Sequence, residues 1–88
     1  MQTFQLYIGA NNRTKRLETA KIRRVMPGRH DGFTLVPVTG YWQGERENSV
    51  LVIVNDDPAK VRQTIAILKA ELQQEAIGVQ RVADIEFA

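Results

Sequence analysis

Five consecutive aliphatic residues, Val50 to Val54, are the feature that most constrains the fold of this chain. A strand with one face in water alternates apolar and polar residues, whereas an uninterrupted aliphatic run is typical of a strand with both faces out of water. The polar segment 43–47 before it predicts a short hairpin connection. We therefore expect a central strand over residues 49–54, with a neighbouring strand on each side.

Three other segments have the composition of strands. Residues 4–8 alternate apolar and polar side chains. Residues 33–42 are rich in β-branched and aromatic residues but contain Pro37, which cannot donate a ladder hydrogen bond. Residues 79–87 alternate again, with Asp84 and Glu86 on the charged face. The proline and the two acidic residues predict that the second and fourth strands are edge strands.

A first helix is predicted over residues 17–26, because the apolar side chains of Ile22 and Met26 gather on one side of a helical wheel. Thr14 is a candidate N-cap, although it would place basic residues at the positive end of the helix dipole. Pro27 and Gly28 end the helix.

The second helix has the strongest signal in the sequence. Asp57 is a predicted N-cap and Pro58 suits the first helical position. After Pro58, apolar residues recur at helical spacing, at Val61, Ile65, Leu68, Leu72 and Ala76. Gly78 is expected at the left-handed position that follows such a helix.

The order of these elements is βαββαβ, with a central third strand. This order predicts a single α+β domain over residues 1–88, of the ferredoxin-like split βαβ kind, with an antiparallel sheet in the order 4-1-3-2. Both helices are expected on one face of the sheet, which leaves the other face open.

Composition excludes several classes of protein. The chain has no cysteine and one histidine among 88 residues, so disulfides and structural zinc sites are excluded and no cofactor or metal is expected. No apolar segment approaches the roughly 20 residues of a membrane span, and the first residues lack the pattern of a signal peptide. We expect a cytoplasmic protein that does not insert in membranes.

The open face of the predicted sheet is the first candidate interaction surface. Strand parity places Tyr7 and Gln5 there, together with Val82 and either Leu51 and Ile53 or the valines at 50, 52 and 54. An apolar patch of this kind favours a homo-oligomer, most simply a dimer. The alternative to a homo-oligomer is that a long loop, such as Asn11 to Arg16, or the terminus folds over the patch. Trp42 is either a binding anchor on this surface or a seal at the end of the sheet.

A second candidate surface is basic. Residues 1–44 carry a net charge of +5 and residues 45–88 a net charge of −3. A basic surface of this kind fits an acidic protein or a nucleic acid as its partner, although strand three lacks the aromatic residues that stack RNA bases. The alternative is that the basic residues form a solvated helix face with no partner. The residues predicted to contact an anionic partner are Arg13, Arg16, Lys21, Arg23, Arg24 and Arg29.

Catalysis has few candidate residues, so an enzyme is the less favoured hypothesis. His30 lies between charged residues in a predicted loop and could act as a base with Asp31, but a polar loop histidine without chemistry is the favoured interpretation. The acidic pair Asp56 and Asp57 is better explained by helix capping than by cation binding. A small enzyme with a pocket at a dimer interface stays an alternative.

Four short segments resemble a known group of proteins. They are Tyr7-Ile8-Gly9, Gly32-Phe33-Thr34-Leu35, Gly40-Tyr41-Trp42-Gln43-Gly44 and Glu47-Asn48-Ser49-Val50. In this order they resemble small uncharacterised βαββαβ proteins of bacterial and phage genomes. The resemblance implies a ferredoxin-like fold and an accessory protein that binds a host factor, and it implies no catalytic residue.

Overall fold

The chain folds into a four-stranded antiparallel sheet with two helices. The structure is a computed structural model and describes residues 1–11, 13–83 and 85–86. The sheet order β2-β3-β1-β4 confirms the predicted order and the ferredoxin-like fold. The elements are β1 (Gln2–Ile8), α1 (Thr19–Val25), β2 (Phe33–Trp42), β3 (Glu45–Asp56), α2 (Pro58–Leu72) and β4 (Gly78–Val82), with a 3-10 turn at Met26–Gly28.

The core lies between the sheet and the helices. Alternate residues of β1 and β3 face α2, and Ile22 and Met26 extend the core beneath α1. Burying each such side chain stabilises the fold by about 1.5–3 kcal/mol. The fully buried apolar residues are Leu6, Ile8, Ile22, Met26, Val50, Val52, Val54, Val61, Leu68 and Leu72.

The largest differences between the predicted and observed strands are at the ends of β3 and β4. β3 begins at Glu45, because the connection from β2 is a two-residue turn at Gln43 and Gly44 rather than the predicted five-residue segment. Both turn residues have positive φ, 50° and 80°, as the tight hairpin turn that matches strand twist requires. β4 ends at Val82, so Glu86 lies beyond it; Asp84 and Phe87 of the predicted strand lie outside the described residues.

The first helix is shorter than predicted. α1 begins at Thr19, and its N-cap is Glu18, whose side chain forms no capping hydrogen bond. Thr14 is therefore not the cap. It belongs instead to a tight loop in which Lys15 has a φ of 61°. The predicted end is confirmed, because Pro27 and Gly28 lie in the 3-10 turn after α1.

The second helix begins as predicted and ends earlier. The Asp57 carboxylate accepts hydrogen bonds from the backbone amides of Ala59 and Lys60, at 2.8 and 3.4 Å. The left-handed residue after α2 is Gln73, with a φ of 53°, and Gly78 is already part of β4. No helix in the described part of the chain is long and apolar enough to cross a membrane.

Candidate functional site

The face of the sheet opposite the helices carries charged side chains only at its hairpin end, among the residues that the structure describes. Cross-strand partners share a face, so the pairing of Tyr7 with Leu51 and of Gln5 with Ile53 selects one of the two predicted parities of β3. We call this surface the open face. It consists of Thr3, Gln5, Tyr7, Thr34, Val36, Val38, Gly40, Trp42, Glu45, Glu47, Ser49, Leu51, Ile53, Asn55, Gly78, Gln80 and Val82.

The open face is exposed over its centre and covered at one end. Tyr7 is 46% exposed, and its hydroxyl lies 2.7 Å from the Gln80 side-chain oxygen. Thr3 is only 1% exposed, because the segment after β4 returns over it and the Ile85 amide donates to the Thr3 hydroxyl at 3.2 Å. The segment after β4 thus covers the Thr3 end of this face, while Tyr7 stays accessible.

His30 lies on the helix side and does not pair with Asp31. It is 3% exposed. Its Nδ1 lies 2.7 Å from Asp56 at the end of β3, and its Nε2 lies 2.7 Å from the Thr64 hydroxyl in α2. The expected polar loop histidine is thus a buried link between three segments. Sequence spacing could not show this, because Asp56 and Thr64 are distant from His30 along the chain.

Every polar atom of the His30 cluster has a partner in either protonation state of the imidazole. If the ring is neutral, Nδ1 donates to Asp56 and the Thr64 hydroxyl donates to Nε2. If the ring is charged, both nitrogens donate and the Thr64 hydroxyl donates to the Lys60 carbonyl, 3.1 Å away. Arg29 Nε donates to the same hydroxyl at 2.9 Å. The hydrogen bonds from His30 and from the backbone amide of Asp57 hold the pKa of Asp56 below its usual value.

The predicted basic residues occupy different environments. Arg29 is bound to Thr64 and to Gln63, so its guanidinium is part of the fold. Lys21 forms an ion pair with Glu18 at 3.1 Å and donates to a carbonyl of α2. The exposed members are Arg13 and Arg16 in the loop before α1, and Arg23 and Arg24 in its last turn.

The loop after β1 is held firmly against α2. Asn11 is 7% exposed, and its side-chain oxygen accepts hydrogen bonds from the backbone amides of Arg13 and Thr14 at 2.8 and 3.1 Å. Gln74, after α2, donates to the carbonyls of Gly9 and Ala10 at 2.9 and 3.1 Å. These contacts fix the position of the loop without using its basic side chains.

A cleft of about 190 Å³ opens between this loop and the β2–β3 hairpin. The sequence did not indicate it, although the Gln43-Gly44 turn, once assigned, places Gly40 opposite Glu47. Trp42 is 68% exposed beside the cleft and does not seal the sheet against α2. The residues that line it are Ala10, Asn11, Lys15, Trp42, Glu45, Arg46, Glu47 and Asn48.

The remaining surface offers less to a ligand. A depression of about 490 Å³ lies along the outer side of α2, but its lining comes from that helix and Gln74 alone, so no second element forms an opposing wall. Within the described ranges, no three His, Cys, Asp or Glu side chains come together in a way that would hold a metal ion. Asp56 and Asp57 have the structural roles given above.

The fold has several relatives among solved structures. No family model and no curated protein sequence matches the chain. A DUF3240 family protein from Shewanella baltica OS155 is similar over 100% of this chain and 96% of its own, with a TM-score of 0.68 and 11% identity. CutA1 from Oryza sativa is similar over 100% of this chain and 84% of its own, with a TM-score of 0.61 and 10% identity.

A phage SAM lyase in its apo state has the same fold, with 98% of this chain and 91% of the lyase aligned, a TM-score of 0.57 and 16% identity. Identities this low establish the architecture and nothing about activity. The expected resemblance to small ferredoxin-like proteins is thus supported, because a protein of the DUF3240 family shares the fold, whereas a bacterial or phage origin stays a prediction. The chain is a ferredoxin-like α+β domain of the kind seen in the CutA1 and DUF3240 structures.

Proposed function

We propose that the protein is a small binding module in which the open faces of two copies pack against each other. One observation carries this proposal: the charged residues of the open face, Glu45 and Glu47, both lie at its hairpin end, and its other described positions are uncharged, although 25% of the residues in the chain are charged. A face that is uncharged over its centre can pair with its own copy there without like-charge repulsion, and the apolar side chains at its centre gain by leaving water.

The position of the apolar residues supports the same pairing. Leu51 and Ile53 lie on the central strand, with Val36 beside Leu51 on β2. Val38, further along β2, is 36% exposed. A second copy would cover these residues together with Tyr7, while the helices stay on the outer sides of the dimer.

Sedimentation velocity over a range of protein concentrations tests the pairing. The wild-type chain is expected to sediment as a dimer at micromolar concentration, and Leu51→Glu as a monomer, because it places a charge at the centre of the open face. Ala66→Glu adds the same charge on the exposed side of α2 and is expected to leave the dimer intact. A wild-type chain that stays monomeric throughout contradicts the proposal.

The exposed arginines are proposed to contact an anionic partner. Arg13, Arg16, Arg23 and Arg24 are exposed, and the last two belong to a helix on the side of the sheet away from the open face. Dimerisation would leave that helix accessible. An acidic protein is the favoured partner, and nucleic acid is the alternative. Gel-shift titrations of DNA and RNA at several salt concentrations separate them, since phosphate binding weakens steeply as salt rises.

A second candidate function is an enzyme that acts on S-adenosylmethionine. The choice of substrate comes from the phage SAM lyase that shares the fold over 98% of this chain, and the cleft between the β1 loop and the β2–β3 hairpin is the place for such a ligand. Incubating the purified protein with S-adenosylmethionine and separating the products by chromatography tests it. Consumption above the uncatalysed rate supports this function, and an unchanged rate contradicts it.

A further inference from the structure

Gly9 makes room for the side chain of Glu47. A Cβ added at Gly9 would lie 2.6 Å from Glu47 Oε1, whereas one added at Gly40 would lie 2.8 Å from Ser49 Oγ and at an ordinary contact distance, 3.7 Å, from Glu47 Cγ. Neither glycine has positive φ, so the backbone does not require glycine at either position. The space left by the missing side chain of Gly9 holds the Glu47 carboxylate, at the end of the open face that borders the cleft.

The carboxylate held in this way has no partner in the described ranges of the chain. Glu47 is partly buried, yet its side chain forms no hydrogen bond or ion pair with the residues that the structure describes. Lys15 and Arg46 line the same cleft and leave it unpaired. Neither Glu47 oxygen is among the buried atoms that lack a partner, so the carboxylate stays accessible from the cleft. A bound cation would supply the partner that the described residues do not.

The surroundings of Glu47 favour a cation that also carries a flat group. Trp42 lines the cleft with its indole largely in solvent, and aromatic faces attract organic cations. The other charges of the cleft are on exposed residues, namely Lys15, Glu45 and Arg46. Water and salt screen exposed charges strongly, so the more buried carboxylate dominates the field that a ligand would meet.

We infer that the cleft binds a small organic cation with a planar ring, a sulfonium or quaternary ammonium compound, with Glu47 as the counter-ion and Trp42 as the aromatic contact. This inference deepens the second candidate function and takes its choice of ligand from it, because S-adenosylmethionine is a sulfonium cation with an adenine ring. The cleft is smaller than the roughly 300 Å³ at which ligand pockets begin, so part of such a ligand stays outside it.

Fluorescence titration tests the inference, because Trp42 is the sole tryptophan of the chain. S-adenosylmethionine and S-adenosylhomocysteine differ in the methyl group that gives the first its positive sulfur. The sulfonium compound is expected to bind at least about tenfold more tightly than the neutral one, which corresponds to about 1.4 kcal/mol. Phenyltrimethylammonium is a second cationic probe and is expected to quench Trp42 as well.

Three variants test whether the preference for the sulfonium compound over the neutral one depends on Glu47. Glu47→Gln is expected to abolish it, and Gly9→Ala is expected to do the same while keeping the charge, because the new methyl group displaces the carboxylate. Glu71→Gln removes a charge from an exposed position on α2 and is expected to preserve it. Circular dichroism of each variant confirms that the fold is kept.

The possible outcomes separate this site from the enzymatic function. Charge-selective binding that depends on Glu47, without turnover of S-adenosylmethionine, supports the site and contradicts the enzyme. Equal binding of the two adenosyl compounds, a preference that survives Glu47→Gln, or no quenching by any cation overturns the site. Turnover that is unaffected by Glu47→Gln overturns the site and leaves the enzyme.

Discussion

Strand β3 carries a carboxylate near each end, and the two have opposite surroundings. Asp56 accepts hydrogen bonds from His30 and from the Asp57 amide, and its other neighbour is Lys60, 3.5 Å away. Glu47, nine residues earlier, lies in a space left by Gly9 and has no partner among the described residues. The contrast separates a carboxylate that holds the fold together from one that is available to a ligand.

The energetic consequences of the two arrangements differ in size. A partly buried carboxylate with several hydrogen bonds stabilises the fold, and deleting one of its partners leaves polar atoms without compensation. A carboxylate that keeps contact with water and has no partner in the fold contributes little to its stability. Substitutions at the Asp56 end should therefore lower the free energy of unfolding, whereas substitution of Glu47 should not.

The largest effect is expected for His30→Ala. The change leaves Asp56 and Thr64 without a partner and opens a cavity, so the free energy of unfolding should fall by about 3 kcal/mol. Urea denaturation measures this loss, provided that the unfolding free energy depends on urea concentration with the same slope in the variant and the wild type. Asp31→Ala, in the exposed loop next to His30, is the control and should change stability by less than about 0.5 kcal/mol. Equal effects of the two substitutions would mean that the cluster does not stabilise the fold.

Asp56→Asn is expected to have the next largest effect, with a characteristic dependence on pH. The pKa of Asp56 is lower in the folded chain than in the unfolded chain, so its contribution is complete above about pH 4 and is lost as pH falls further. At pH 7 the variant should lose about 1–2 kcal/mol. Its stability should also fall less steeply than that of the wild type between pH 4 and pH 2. If the stability of the variant and of the wild type falls by the same amount between pH 4 and pH 2, the assigned role of Asp56 is contradicted.

The architecture could be predicted from the sequence because its signals are local and agree with each other. The aliphatic run at 50–54, Pro37 in β2 and the capping Asp57 each report on their own segment, and all are confirmed. The ends of the elements were less predictable. Glycine is the residue type that favours a helix C-cap, so Gly78 was predicted there. The observed helix α2 ends one turn before Ala76, the last apolar residue of the predicted helical pattern, and Gln73 adopts the left-handed conformation.

The two polar clusters could not be predicted because they depend on contacts between distant segments. His30 finds Asp56 and Thr64 only after β2, β3 and α2 are assembled, and its sequence neighbour Asp31 gave the wrong partner. The position of Glu47 depends on the exact hairpin register. A Gln-Gly turn signals that register weakly, since Asn-Gly and Asp-Gly are the preferred sequences for such turns.

A double-mutant cycle sharpens the explanation of Gly9. Gly9→Ala should cost up to about 1 kcal/mol in the wild type, because the added methyl group overlaps Glu47 Oε1 and the flexible side chain has to move aside. In a Glu47→Ala background the same change should cost less than about 0.5 kcal/mol, or even stabilise by restricting the unfolded chain. The difference between the two costs measures the coupling of the residues. Similar costs in both backgrounds would show that Gly9 is needed for another reason.

The smallest effect on stability is expected for Glu47→Gln, and this result is the sharpest test of the comparison. Glutamine keeps the shape of the side chain and removes a charge that has no partner, so the free energy of unfolding should stay within about 0.5 kcal/mol of the wild type or rise slightly. Urea denaturation at pH 7 and low salt measures it, beside His30→Ala as the reference. A loss above about 1 kcal/mol would reveal a partner that holds Glu47 within the fold. It would remove the distinction between the two ends of β3, because Glu47 would then stabilise the domain in the way that Asp56 does.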